Sequence, residues 1–431
     1  MRGADMSLKK IKPAKRTEQV TYAIRDIVVK AKKLEKKGHK ILYLNIGDPP
    51  VYDFETPRYL RENVSEKILA SDTESEVNVS TYCDSMGIEE ARKAVAKDAV
   101  ERKGIENVTA DDVVISSGAS ESITLAIAAL IDPGDNIMTP SPGYPLYSGQ
   151  IPAYHGELNP YYLNEEKGWQ IDFDELEKRV NDRTRAIVVI NPNNPTGANY
   201  NKESILNILE FARKHNLVVF ADEIYDKLLF DDNKHISIAS LSKDVPVITF
   251  GGLSKNYIMP GWRVGWAIFH DPVNVMSEYR EAINKLLRAR LCSPHPQQHM
   301  IAPALKGDDK HLKTVLKKTQ RRRDISYEML NDIPGISCVK PGGAFYAFPK
   351  IQLPPNVDDE EFVLELLEET GVLVVFGSGF REKPGTNHFR VVFLPDEDTL
   401  KKAYKRLADF TKKFYKKHDF QPEPVLESEK L

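Results

Sequence analysis

From about residue 85 onward, apolar runs and amphipathic stretches alternate along the chain. The segment 87–100 (G-I-E-E-A-R-K-A-V-A-K-D-A-V) has helical period. Residues 112–130 (D-V-V-I-S-S-G-A-S-E-S-I-T-L-A-I-A-A-L) read as a short strand, a small-residue turn and an apolar helix. Further apolar runs lie at 136–140, 185–192, 217–222, 247–252 and 265–269, with helical stretches such as 202–215 between several of them. Near-continuous apolar strands that alternate with helices predict a mostly parallel sheet covered on both faces, a three-layer α/β/α arrangement.

The flanks read differently. Residues 22–38 predict a helix with lysines on its exposed face and Gly38 as its stop. Residues 41–50 (I-L-Y-L-N-I-G-D-P-P) predict a buried strand ending in a turn. Beyond the sheet region, 308–331 reads as a long charged helix whose Arg321, Arg322 and Arg323 are expected to be surface charge. After 333–349 the pattern changes to hairpin-like strands and helices, as in a smaller α+β domain. A chain of 431 residues exceeds what one core usually supports. The expected division is 1–52 as an arm and first part of a small domain, 53–325 as a large domain and 326–431 as the rest of the small one. The closing Q-P-E-P-V-L-E-S-E-K-L is polar and Pro/Glu-rich, so a disordered tail is expected.

Composition narrows the partners. A net charge of −3 with 41% apolar residues suggests neither a nucleic-acid nor a membrane partner. Cys83, Cys292 and Cys338 are odd in number and scattered, which suits neither a disulfide framework nor a metal site. The expectation is a reducing compartment, the cytoplasm. No apolar run reaches the roughly 18 residues of a membrane helix. The basic N-terminus lacks the apolar stretch of a secretory signal, and Asp5, Glu18 and sparse serine argue against an organellar presequence.

The candidate chemistry falls at or just after the predicted strands, the edge where open α/β sheets bind ligands. Lys255 sits in F-G-G-L-S-K, an apolar and small-residue setting that favours a neutral, nucleophilic amine. Asp222 ends an apolar run, where an unpaired carboxylate is costly to bury. It suits a partner for a protonated pyridine nitrogen, or alternatively a helix N-cap. Tyr225 would face the same way from a first helical turn, and Asn194 lies in the turn N-P-N-N-P-T-G; both can donate to a ring oxygen. Gly118, Ala119 and Ser120 form a strand-to-helix turn suited to a phosphate. Ser254 and Arg263 supply further phosphate donors, and Tyr144 a ring to stack on. Arg390, alternating with apolar residues in H-F-R-V-V-F, matches a carboxylate in geometry. One amine, one acid, one phenol, one amide and a phosphate-binding arginine together suit pyridoxal 5'-phosphate.

These motifs, most specifically N-P-N-N-P-T-G, A-D-E-I-Y and G-L-S-K with G-W-R, resemble the class I and II aminotransferases of the fold type I group. The resemblance spans roughly 17–415 and is strongest to the alanine (glutamate–pyruvate) branch, through strings such as Y-A-I-R, L-N-I-G-D-P and Y-C-D-S-M-G. It implies covalent attachment of the cofactor at Lys255, a pyridinium partner in Asp222, and a substrate-carboxylate clamp in Arg390 with the backbone of Gly47. It also implies a homodimer in which Tyr82 reaches the phosphate of the neighbouring subunit. Gly252 and Gly251 depart from the family pattern, which places serine and, in the alanine branch, asparagine there.

The implied activity is ping-pong transamination between alanine/pyruvate and glutamate/2-oxoglutarate. Aspartate or broad aromatic specificity is the near alternative, and a C–S β-lyase a more distant one. Arg25 and Arg290 are both candidates for a second substrate carboxylate. A DNA-binding regulator is disfavoured by the short N-terminal arm, and a nicotinamide dehydrogenase by the missing G-x-G-x-x-G.

Overall fold

The predicted apolar runs assemble into one eight-stranded sheet. A computed structural model describes residues 10–20, 23–72 and 77–425, without the side chains of Gln19 and Asp26. The strands are β1 (Val113–Ser117), β2 (Asn136–Ser141), β3 (Glu157–Asn164), β4 (Gln170–Ile171), β5 (Thr184–Ile190), β6 (Val218–Asp222), β7 (Val247–Gly252) and β8 (Val264–His270). Their order is β1-β8-β7-β6-β5-β2-β3-β4. Pairing is parallel from β7 through β6, β5 and β2 to β3. β8 is antiparallel to β1 and β7, and β4 is antiparallel to β3.

Alternate side chains serve opposite faces. Val113, Ile115, Ile187, Val189 and Val219 join the core that includes the helices Glu89–Glu101 and Lys202–Lys214. Val114, Ile137, Val188, Phe220 and Phe250 join the opposite core with the helices Ala119–Ala128 and Ser277–Arg290. This is the expected three-layer α/β/α sandwich. β3 and the two-residue β4 were not anticipated. Near the sheet's end β3 buries only Tyr161 and Leu163, and Pro160 interrupts it, so no continuous apolar run marks it.

A further core gathers Ile27, Ala31, Leu42, Leu44 and Phe54 with Leu330, Phe345, Phe362, Leu366, Val391 and Phe410. The strand expected at 41–50 is only Leu42–Tyr43, paired in parallel with Val372–Leu373. The chain then turns at Pro49–Val51, where proline has no N–H for a ladder. Tyr346–Ala347, Phe389–Val392 and Val375–Phe376 form a three-stranded antiparallel sheet. The helix Lys310–Asn331 runs unbroken through residue 325, and its Leu312, Val315 and Leu330 all join this core. We propose that the two parts of the chain divide at the start of that helix.

Two expectations are corrected here. The arginine triplet is not all surface charge: Arg322 and Arg323 are buried, Arg322 paired with Asp53 at 2.7 Å and Arg323 with Asp231 at 3.0 Å, and only Arg321 is exposed. Side chains at adjacent helical positions point in different directions, so one run of charge serves two environments. The described start of the C-terminal tail is also held. The Glu423 backbone N–H donates to Gln352 at 2.7 Å, and the Gln352 amide donates to the Glu423 carbonyl at 3.1 Å. Residues 426–431 of that tail lie outside the described residues. Among the described residues, no helix is long and apolar enough to cross a membrane.

Candidate active site

β1 and β7 both run antiparallel to β8, so the ends of β1, β2, β5, β6 and β7 and the start of β8 share one sheet edge. That edge carries Gly118 to Ser120, Tyr144, Asn194, Asp222, Ser254, Lys255 and Arg263. Gly47, Tyr346 and Arg390 approach it from the second core's side, and Ile24 and Arg25 from the N-terminal helix. All line a single cleft except Gly118, which sits directly behind Arg263.

The anion cradle follows from two close approaches. Gly118 has φ +79° at the start of the helix Ala119–Ala128, whose first amides have no partners within the helix. Arg263 donates from Nη2 to Ser120 Oγ at 2.7 Å and to the Ser117 carbonyl at 3.1 Å. A Cβ on Gly118 would lie 2.4 Å from Arg263 Nη2, and one on Gly265 would lie 2.2 Å from Ala119 N. Only glycine at both places lets the arginine and the helix start meet.

Lys255 Nζ donates to the Gly47 carbonyl at 2.7 Å. Enclosure by protein pushes its pKa down to about 8; Asp48 opposes this, while Arg390, Arg263 and Arg25 add to it. Burial pushes the Asp222 carboxyl up to about 6, held back by the Ile224 N–H and by Tyr147, whose hydroxyl donates at 3.1 Å. The helix expected after Asp222 is absent, so the N-cap reading fails. Residues 224–227 form a turn, and the turn itself brings Tyr225 to the cleft. The Tyr225 hydroxyl meets that of Tyr346 at 2.8 Å, and burial raises the Tyr225 phenol well above its ordinary value.

Arg390 lies on the strand Phe389–Val392 and is buried. Its Nη1 donates to Asn194 Oδ1 at 3.0 Å and its Nη2 to the Asn45 carbonyl. Its guanidinium carbon is 4.6 Å from the Tyr346 ring centre and 4.7 Å from that of Phe380. These contacts fix the fork in one orientation at the wall of the cleft.

Tyr346 and Tyr147 were not singled out from the sequence. G-G-A-F-Y-A-F-P and Y-P-L-Y carried the aromatics, but nothing there separates a site tyrosine from a core one. Of the two arginines proposed for a second carboxylate, Arg25 lines the cleft. Arg290 does not; it lies 3.3 Å from Glu121 and donates to Ser293 Oγ at 3.1 Å. Tyr82 is 78% exposed and takes no part in this chain's own cleft. The departures at 251 and 252 have a steric reason. A Cβ on Gly251 would lie 2.5 Å from Trp266 Nε1, and one on Gly252 would lie 2.7 Å from the Val264 carbonyl.

The cleft thus joins an amine of lowered pKa, a buried carboxylate, an anion cradle and a ring-stacked arginine. Comparison with known proteins agrees. Residues 39–407 match the family model for aminotransferase class I and II. The chain is 41% identical to the glutamate-pyruvate aminotransferase AlaA of Escherichia coli K12, over 93% of this chain and 98% of that protein. It is 42% identical to an alanine aminotransferase of Mycobacterium tuberculosis H37Rv, over 91% of each. Among solved structures, an alanine aminotransferase from Pyrococcus furiosus superposes with a TM-score of 0.89 at 45% identity, covering 93% of this chain and all of that one.

Proposed function

The chain belongs to the class I and II aminotransferases, and from that premise we propose that it exchanges an amino group between alanine/pyruvate and glutamate/2-oxoglutarate, using pyridoxal phosphate held at Lys255. The observation that carries this reading is the amine of Lys255, lowered to about 8 in the cleft that also holds Asp222, Arg263 and Arg390.

The residues fit the cofactor. The cradle of Gly118, Ala119, Ser120, Ser254 and Arg263 suits a phosphate dianion. Asp222 would pair with the pyridinium nitrogen, Asn194 and Tyr225 with the ring oxygen, and Tyr144 would stack on the ring. When bound, the cofactor acts as an electron sink for the substrate α-carbon.

The chain's own residues supply the rest. Arg390 and the Gly47 backbone hold the substrate α-carboxylate, and so orient the α-proton toward Lys255. With a pKa of about 8, roughly a tenth of Lys255 amines are neutral at pH 7, ready to accept that proton at Nζ and return it. Ile24, Ile46 and Leu146 offer alanine's methyl an apolar wall, and Arg25 stands in the same cleft for the second carboxylate of glutamate. The bare ring of Tyr82 suits delivery to the phosphate of a second copy in a homodimer. The three cysteines are free thiols, which suits a reducing cytoplasm.

The test has two parts. Borohydride treatment of the protein with added pyridoxal phosphate should tag the Lys255 peptide, and Lys255→Ala should abolish turnover. A panel of amino donors against pyruvate, 2-oxoglutarate and oxaloacetate then decides specificity; aspartate outperforming alanine would overturn the substrate pair.

A further inference from the structure

Next to the cleft residues lies a buried ion cluster that the proposed chemistry does not use. Lys103 Nζ is 2.7 Å from Glu223 Oε2 and 2.7 Å from Asp226 Oδ2, and these three side chains are at most 4% exposed. Arg102 reaches Asp226 at 2.9 Å and Asp98 at 2.7 Å. His235 Nε2 lies 3.1 Å from Glu223, and Ser237 donates to Glu223 at 2.8 Å. Asn256 Nδ2 donates to Asp226 Oδ1 at 2.6 Å. Burial opposes the Lys103 charge, but Asp226 and Glu223 more than offset it, and Glu223 is held at about 2 chiefly by Lys103 despite burial.

The cluster members occupy a telling set of positions. Glu223 directly follows Asp222, Asp226 directly follows Tyr225, and Asn256 directly follows Lys255. At each of these three places one side chain lines the cleft and the next one joins the cluster. Buried ion pairs add little net stability over apolar packing of the same volume, but they tolerate few geometries. We propose that Lys103 is a positioning residue: through Glu223, Asp226 and Asn256 it sets the mutual placement of Asp222, Tyr225 and Lys255. The inference rests on the reading of those three as the cofactor site.

Asn256→Ala provides the cleanest test, because it removes one tie and leaves every ion pair intact. In the holoenzyme this variant should keep borohydride tagging at Lys255. Its kcat with alanine should fall roughly tenfold or more while KM changes less than about twofold, the signature of misplaced reacting groups. The pH midpoint of the near-visible absorbance with bound pyridoxal phosphate should shift as well. Lys103→Arg, which keeps the charge but not the shape, should show the same pattern. Wild-type kcat and an unmoved absorbance midpoint in both variants, with only a lowered melting temperature, would make the cluster merely structural and overturn the proposal. Failure of tagging in the unsubstituted protein would instead remove the site assignment on which it stands.

Discussion

The hydroxyls of Tyr225 and Tyr346 meet at 2.8 Å, one from the turn after β6 and the other from the strand Tyr346–Ala347 of the second core. Their rings cross edge to face at 5.7 Å, and the Tyr346 ring also faces Arg390. A Cβ on Gly47 would lie 2.2 Å from the Tyr346 hydroxyl oxygen. One side chain therefore touches both the proposed ring-oxygen donor and the proposed carboxylate clamp. Tyr346→Phe keeps the ring and removes the shared hydrogen bond. The expected loss is about 1 kcal/mol, roughly fivefold in kcat/KM for alanine by steady-state kinetics. An unchanged value would show that Tyr225 is placed without this partner.

Arg25 is exposed yet lines the cleft, so its contribution should depend on the substrate. In Arg25→Met, kcat/KM for glutamate should fall roughly tenfold, about the worth of one charge-assisted hydrogen bond, while that for alanine stays within about twofold. Equal losses for both donors would place the second carboxylate elsewhere.

Asp222 is buried, and its raised pKa carries a stability cost. A carboxyl raised from 3.8 to about 6 favours the fold most below pH 3.8 and loses that advantage as pH rises through about 6. Asp222→Asn removes the charge. The cofactor-free variant should therefore be more stable than the wild type by about 2–3 kcal/mol at pH 8, with no such gain near pH 3.5. The same substitution should severely reduce transamination. Urea unfolding of both proteins at the two pH values measures the first effect; a destabilised variant at pH 8 would refute it.

His388 lies between two carboxylates, Glu382 at Nδ1 and Glu165 at Nε2, and stacks on Phe348 at 4.9 Å. Burial alone would lower its pKa, but Glu165 and Glu382 raise it to about 9. The sign with pH is the same as for Asp222, because this pKa too is raised by folding, although here the charged form is the one favoured: stabilisation is full below about 6.5 and lost as pH rises through about 9. The advantage of the wild type over His388→Gln should shrink by about 3 kcal/mol between pH 6 and pH 9.5 in denaturant titrations. The difference between the two proteins matters here, because Lys255 contributes with the opposite sign above pH 8. A constant difference would mean that His388 is not charged in the folded protein.

The strands that build the site were readable because a parallel strand covered on both faces must be apolar at nearly every position. β2, β5, β6 and β7 therefore stand out, and Asp222, Asn194 and Lys255 could be placed beside them. β3 could not be read, since it buries few of its side chains. Arg322 and Arg323 were misread because local charge does not reveal burial; their partners Asp53 and Asp231 lie far away in sequence.

The chain's pattern of residues alone determined the layered sheet and marked the strand ends beside which the proposed amine and acid lie, because period and strand ends are local properties. Only the tertiary structure decided that Arg25 rather than Arg290 enters the cleft, that Tyr346 joins Tyr225 to Arg390, and that Lys103 backs the site. Those are meetings between segments separated by tens to hundreds of residues, and such meetings are set by how distant elements pack together, which no short window of sequence contains.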